Sequence, residues 1–375
     1  MIEDTEINPF KIGQNTPCFI IAEAGVNHNG SIQMALRLVD AAADAGADAV
    51  KFQTFKSEKL VSKQASKADY QKQNTDGSES QLEMLKRLEL DETAHKKIIA
   101  HCNKKNIHFL STPFDSDSLN LLAYKLGLPI VKIPSGEITN LPFLLAVART
   151  GKPIIMSTGM ATLSEVEAAL EVLAFGYTAD QNDTPSLDAF QHAYSSIVGQ
   201  NALQQKVTLL HCTTDYPAVF DQVNLRAMDT IRSAFQLPVG YSDHTAGISV
   251  PIAAVARGAK VIEKHLTLDR TLPGPDHRAS LEPDGFKKMV ESIRQIELAI
   301  GSPQKIPTNA ELKNKPTVRK SLVALTPIKP GDRFTEKNIG TKRPGDGISP
   351  AHFWKYIGKI SDQSYAPDEK IKPAN

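Results

Sequence analysis

The sequence predicts a (β/α)8 barrel followed by a small β-rich domain. Three observations carry this reading. Eight short apolar runs alternate with amphipathic segments over most of the chain, and such runs separated by helices belong to a parallel sheet covered by helices. Each run turns polar in its last residues, the end at which barrels of this class place their sites. Beyond residue 302 the alternation stops, and short β runs broken by Pro and Gly take over.

The elements follow in order. "FIIAEAG" (19–25) ends in Glu23, and the amphipathic "MALRLVDAAADAGA" follows. "AVKFQTF" (49–55) carries Lys51 and Gln53 and opens into a long polar connection, residues 56–80. That connection leaves a strand's C-terminal end, so it is placed to overhang a site. The helical "ETAHKKIIAHCNKKN" precedes "IHFLSTPF" (107–114), with Ser111 and Thr112. "IVKIPSGE" (130–137) holds Lys132, Ser135 and Glu137, and "PIIMSTG" (153–159) holds Ser157 and Thr158. After "LSEVEAALEVLAFG", a second lengthened connection, residues 178–205, precedes a strand and falls on the opposite, stability-bearing face. "VTLLHCTT" (207–214), "PVGYSDH" (238–244) and "VIEKHLT" (261–267) complete the set. The expected organisation is a barrel over 1–302, a proline-bearing linker over 303–316 and a compact β-rich module over 317–375. An open doubly wound sheet is the structural alternative; it usually has fewer strands, and the chain lacks its Gly-rich phosphate fingerprint.

Composition narrows the function. The 375 residues include 43 basic and 42 acidic side chains, a formal charge of +1. That balance argues against nucleic acid and against a membrane surface. No apolar run approaches the roughly 18 residues of a membrane span. The acidic N-terminus lacks a secretory h-region. Cys18, Cys102 and Cys212 are far apart with no CxxC, as expected for reduced thiols in a cytoplasmic protein.

Alternation sorts the polar strand ends by face. Glu23 shares a face with Phe19 and Ile21. Lys51 goes with Gln53, Ser242 with His244, and Glu263 with His265. Lys264 falls with Ile262 and Leu266, so it points toward the helix layer or snorkels at the rim. His244 and His265 end successive strands, which lie about 4.8 Å apart in a sheet. Two imidazoles so placed can share a divalent metal, Mn²⁺ or Mg²⁺, with positions left open; the other reading is a structural histidine pair. Lys51 and Lys132, with Gln53, Thr112, Ser135 and Ser157, make a donor-rich pocket for a small phosphorylated or carboxylated anion. The same lysines can instead pair with Glu23 and Glu137, or one can serve as a Schiff-base nucleophile. Cys212 reads as barrel filling. His28 in "GVNHNG" suits a turn or N-cap as well as catalysis. His95, His101, His108 and His192 read as solvated.

The motifs "IIAEAGVNHNG", "KFQTFK", "STPFD", "KIPSGE", "STGMAT", "HCTTDYP", "GYSDHT", "EKHLTLD", "GPDHRASLEP" and "KRPGDGIS", in this order, resemble the bacterial sialic acid synthases. The resemblance runs from about residue 17 to 373. It implies condensation of phosphoenolpyruvate with N-acetylmannosamine or a close amino sugar, giving a nonulosonic acid and phosphate. It also implies an antifreeze-like C-terminal (SAF) domain that reaches over the barrel mouth of its partner in a domain-swapped homodimer.

By the same resemblance, His244 and His265 are the metal ligands. Lys51, Thr112, Lys132, Ser135, Ser157 and Ser242 match the phosphoenolpyruvate contacts. Glu23, Gln53, Tyr216, Asp276 and, from the partner subunit, Arg343 match the amino-sugar contacts. Glu137 and Glu263 match acidic residues near the reacting atoms, and Glu23 or Glu137 is the expected base for the attacking water. One branch of N-acetylneuraminate synthases carries Asn at the position of Thr214. "AEAGVNHNG", "IPSGEITNLP" and "CTTDYP" are closer to the branch containing the N,N'-diacetyllegionaminate synthases, which use a 2,4-diacetamido-2,4,6-trideoxy-mannose. A Schiff-base sialic acid lyase is the remoter alternative.

Overall fold

The computed structural model describes residues 10, 12–13, 16–75 and 79–373. The chain divides into two compact units, Met1–Gly301 and Ser302–Asn375.

The first unit holds eight parallel strands: β1 (Phe19–Gly25), β2 (Ala49–Thr54), β3 (His108–Pro113), β4 (Val131–Ile133), β5 (Ile154–Ser157), β6 (Val207–Cys212), β7 (Val239–Asp243) and β8 (Val261–His265). Their hydrogen-bonded order is β3-β2-β1-β8-β7-β6-β5-β4. β3 and β4, the two ends of that order, lie against each other and close the ring. β1 therefore sits between β2 and β8, with Glu23 level with Lys51 on one side and His265 on the other.

Two apolar layers hold the ring. Phe19, Ile21, Ala49, Leu110, Ile130, Ile155, Leu210 and Val261 point inward and fill the barrel below the strand ends. Phe10 and Ile12 join that cluster, with Phe10 stacked on Phe19 at a centroid distance of 5.0 Å. The alternate residues, such as Ile20, Val50, Phe52, Ile133, Tyr241 and Ile262, meet the helices. The helix Ile32–Asp44 shows why: its buried residues Ala35, Leu38, Val39 and Ala42 recur at i, i+3, i+4 and i+7, and Ser31 caps it by accepting from the Met34 amide.

β4 is shorter than the apolar run that predicts it. Pro134 has no amide hydrogen for the ladder, and Ser135–Glu137 turns off as a 3-10 helix. The 56–80 connection is not structureless. It carries the helices Ser57–Leu60 and Asp69–Asn74, and Gln81–Lys86 follows it. The 178–205 segment forms the helices Leu187–Ser195 and Ile197–Lys206, which pack on the helix Leu163–Thr178; Phe190 meets Phe175 edge-on at 5.2 Å.

In the second unit, β9 (Ser321–Ala324) pairs antiparallel with β10 (Ile339–Lys342) over a core of Leu322, Ala324, Ile328, Phe334, Ile339, Tyr365 and Ile371. The segment expected as a linker contains a helix, Asn309–Val318, started by a capping box between Thr308 and Glu311. That Thr-x-x-Glu signature is in the sequence, amid the prolines that mark a linker. No helix among the described residues is long and apolar enough to cross a membrane.

Candidate active site

The polar strand ends converge on a cavity of about 410 Å³ at the C-terminal mouth of the barrel. Glu23, Lys51, Gln53, Thr112, Lys132, Ser135, Ser157, Tyr216, Ser242, His244, Glu263, His265 and Asp276 all line it. Thr214, the position at which one branch carries Asn, lines it too, as does Cys212, expected as barrel filling. Glu137 does not: it lies on the 3-10 turn after β4, and its carboxylate accepts from Asn140 Nδ2 at 2.6 Å. Arg343 lies in the C-terminal unit, solvent-exposed, directly after β10.

The floor is a buried array of charges. Lys51 Nζ lies 2.7 Å from Glu23 Oε2, donates to Thr112 Oγ1 at 3.1 Å and lies 3.8 Å from Glu263 Oε1. Lys132 Nζ donates to Ser157 Oγ at 2.7 Å and lies 3.7 Å from the same Glu263 oxygen. Glu263 thus bridges the two lysines, and Ser242 Oγ donates to it at 3.1 Å. The two lysines stand on β2 and β4, neither of which neighbours β8 in the sheet. In the fold, the carboxylate from the histidine strand β8 reaches both of them. The expected Glu23–Lys51 pairing is present, whereas Lys132 pairs with Glu263 and not with Glu137.

Burial and neighbours set the protonation states. Burial opposes charge on Glu263, yet Lys132 and Lys51 outweigh it and hold that carboxyl below its ordinary value. Burial also opposes the Lys51 charge, but Glu23 and Glu263 keep its pKa raised. Lys132, with fewer close anions, is lowered by burial. Burial pushes Glu23 up to about 7, against the pull of Lys51. It raises Asp276 to about 6. Glu23 is thereby poised to hold or release a proton near neutrality, the condition for a general acid or base.

His244 and His265 face each other with ring centroids 5.5 Å apart, and Tyr216 packs on His244 at 4.2 Å. Burial lowers the pKa of both imidazoles, so they are neutral. His244 Nδ1 lies 2.6 Å from the Thr213 carbonyl oxygen. Donation there fixes the tautomer and leaves Nε2 with its lone pair free. His265 Nδ1 is buried without a hydrogen-bond partner, and Asp276 Oδ2 lies 3.9 Å away. Neutral imidazoles, one with an orphaned nitrogen, fit a divalent cation. Among the described residues no cluster of three or more His, Cys, Asp or Glu is arranged to hold one.

Ser135, though off the strand, is fixed: its Oγ accepts from the Gly159 amide at 2.9 Å. Gly159 has to lack a side chain, because a Cβ there would fall 2.8 Å from Ser135 Oγ and 2.9 Å from Cys212 Sγ.

Lys264 is fully buried on the helix side, so it does not snorkel; its Nζ donates to Asp243 Oδ2 at 2.6 Å and to the Thr245 carbonyl. His95 is likewise buried, not solvated, and its ring nitrogens contact Thr54 Oγ1 at 2.7 Å and the Asp91 carbonyl at 2.8 Å. His28 takes the turn role: its Nδ1 accepts from the Gly30 amide at 3.0 Å.

The profile of the NeuB family matches residues 38–305. The chain belongs to the NeuB family. The SAF domain profile matches residues 319–375, the second unit's β-rich part. The N,N'-diacetyllegionaminic acid synthase of Campylobacter jejuni is 52% identical over 353 residues, 94% of this chain and 98% of that protein. The synthase of the same name from Legionella pneumophila is 46% identical, covering 92% of this chain and 91% of that one. Among solved structures, the N-acetylneuraminic acid synthetase of Leptospira borgpetersenii in complex with citrate aligns with TM-score 0.65 and 36% identity, over 80% of this chain and 91% of that one. Like its NeuB relatives, the chain is an enzyme of the transferase type.

Proposed function

We propose that this NeuB-family enzyme condenses phosphoenolpyruvate with 2,4-diacetamido-2,4,6-trideoxy-mannose and water, releasing N,N'-diacetyllegionaminate and phosphate. The observation that carries the choice of sugar is that two relatives, at 52% and 46% identity, both bear the name N,N'-diacetyllegionaminic acid synthase. The barrel mouth supports the chemistry. Lys51 and Lys132, with Thr112, Ser135, Ser157 and Ser242, offer the donors for the carboxylate and phosphate of phosphoenolpyruvate. Glu263, between the lysines, keeps two ammonium groups compatible in one buried site.

His244 and His265 are the residues that would hold a divalent cation, Mn²⁺ or Mg²⁺. When bound, it supplies Lewis-acid polarisation of the sugar aldehyde. Glu23, Gln53, Tyr216 and Asp276 orient the open-chain sugar. C3 of phosphoenolpyruvate attacks the aldehyde carbon, forming the new C–C bond and leaving oxocarbenium character at C2. The aldehyde oxygen takes up a proton and becomes a hydroxyl. Water adds at C2, giving its proton to Glu23, whose raised pKa suits the transfer. The C2–O bond to phosphate then breaks, and the C2 hydroxyl passes its proton to the departing phosphate as C2 becomes the ketone. Arg343 of the partner subunit completes the sugar site in a domain-swapped homodimer.

The test measures phosphate release from phosphoenolpyruvate with each amino sugar, using ¹⁸O in the bridging position. The label is expected in the phosphate. Label retained in the sugar acid rules out C–O cleavage, and release without any sugar rules out the condensation. A lysine adduct trapped by borohydride would instead identify a Schiff-base lyase.

A further inference from the structure

The cavity has two chemically distinct halves. Its floor is the charged array on the strand ends. One wall is apolar and comes from the segment between β2 and the next long helix, with help from the loops after β1 and β3. Phe55, Met84, Leu85 and Leu88 line the cavity and form a buried cluster of their own with Val26. Phe114 packs onto it, edge-on to Phe55 at 6.2 Å. Met84 is 1% exposed, so the apolar surface left open to the cavity is that of the half-buried Leu60, Val61 and Phe114. The barrel needs none of this for closure; its own two layers are complete without it. Among the described residues of that segment, the polar groups that reach the cavity are the carboxamides of Gln71 and Gln81, 3.3 Å apart; Gln71 Oε1 also accepts from the Ala68 amide at 3.0 Å.

Resting on the reading above, we propose that this wall is the specificity determinant. It accepts the deoxygenated, methyl-bearing end of a 2,4-diacetamido-2,4,6-trideoxy sugar and rejects the hydroxylated end of N-acetylmannosamine. The two sugars differ at C4, acetamido against hydroxyl, and at C6, methyl against hydroxymethyl. A C6 methyl buries apolar surface against Leu60, Val61 and Phe114, the half-buried residues packed on that cluster. A C6 hydroxyl meets no donor or acceptor there and surrenders its bonds to water. The C4 acetamido carries an N–H and a C=O, the complement of the Gln71 and Gln81 carboxamides. The wall therefore reads the part of the sugar that takes no part in bond formation, while the floor carries the reaction.

The experiment compares kcat/KM for the two sugars, each measured on the same preparation so that the ratio is independent of the folded fraction. Wild-type enzyme is expected to favour the trideoxy sugar by roughly 10- to 200-fold, the range one apolar group commands in a pocket. Leu60→Gln places an amide in the wall and is expected to cut that preference by about tenfold or more. Leu60→Met keeps the wall apolar and is expected to keep the preference. Val61→Gln, at a half-buried position on the same wall, gives an independent change in the same direction if Leu60→Gln fails to fold. A wild-type preference for the trideoxy sugar that survives both polar variants within twofold overturns the role of the wall and leaves the proposed function standing. A wild-type preference for N-acetylmannosamine overturns the inference and the proposed sugar together. Phosphate release with neither sugar overturns the condensation reading itself, and the inference with it.

Discussion

Replacing Lys264 by methionine tests the buried pair that fixes the end of the barrel. Lys264 and Asp243 are direct partners in the β7–β8 ladder, and both are fully buried. Lys264 also donates to the Thr245 carbonyl, and Asp243 accepts from the Thr245 amide at 3.0 Å and its hydroxyl at 3.2 Å. One residue further along each strand stand His244 and His265. Lys264→Met fills the same volume but leaves Asp243 as an uncompensated buried charge. Breaking such a pair from one side costs about 3–5 kcal/mol, a large share of the roughly 5–15 kcal/mol that holds a typical protein folded. Adding Asp243→Asn removes the orphaned charge and retains a carbonyl for the Thr245 amide, so the double variant is expected to recover most of the loss. Urea unfolding followed by far-UV circular dichroism is the assay. Tryptophan emission reports the wrong unit, because the one tryptophan, Trp354, lies in the C-terminal domain. A single variant within about 1 kcal/mol of wild type, the scale of an exposed pair, refutes the argument. So does a double variant no more stable than the single one.

Further outcomes follow from the same geometry. His28 is buried and neutral, its pKa lowered to about 4 from 6.5 chiefly by burial. The unfolded chain therefore binds more protons between those values, and stability falls as pH drops through that window, by about 2 kcal/mol near pH 5. His28→Asn should flatten the slope of urea midpoint against pH; an unchanged slope assigns the acid sensitivity elsewhere. Chelation is expected to abolish turnover and Mn²⁺ to restore it. His265→Ala should weaken Mn²⁺ binding, titrated by electron paramagnetic resonance, by more than roughly 100-fold, the upper end for losing a supporting group alone; unchanged binding dismisses the histidine pair as ligands. Mixing His265→Ala with Arg343→Ala subunits should regain activity if sites are shared across a dimer. No gain in confirmed heterodimers dismisses the sharing.

Much of this protein is legible in its sequence because two periodicities are local. Alternation along a strand assigns Glu23, Lys51, Glu263 and His265 to the barrel interior and Lys264 to the helix side, and the fold agrees. Eight apolar runs with polar ends are enough to predict a barrel and the end that carries the site. Distances across the ring are not local. That Glu263 reaches both lysines depends on the width of the barrel at its mouth, which no single strand encodes. Lys264 meets Asp243 because of the register between β7 and β8. Glu137 leaves the cavity because Pro134 ends β4 three residues before it. His95 is buried because β2 and β3 bring Thr54 and Ser111 together against its helix, with 2.7 Å between their hydroxyls. The sequence by itself determined which residue types stand at each strand end and which face each takes. The tertiary structure alone decided which charges meet, how their pKa values divide, and that a polar-looking excursion folds an apolar wall over the site. Charge pairing and burial depend on through-space distance, and closing the ring sets those distances.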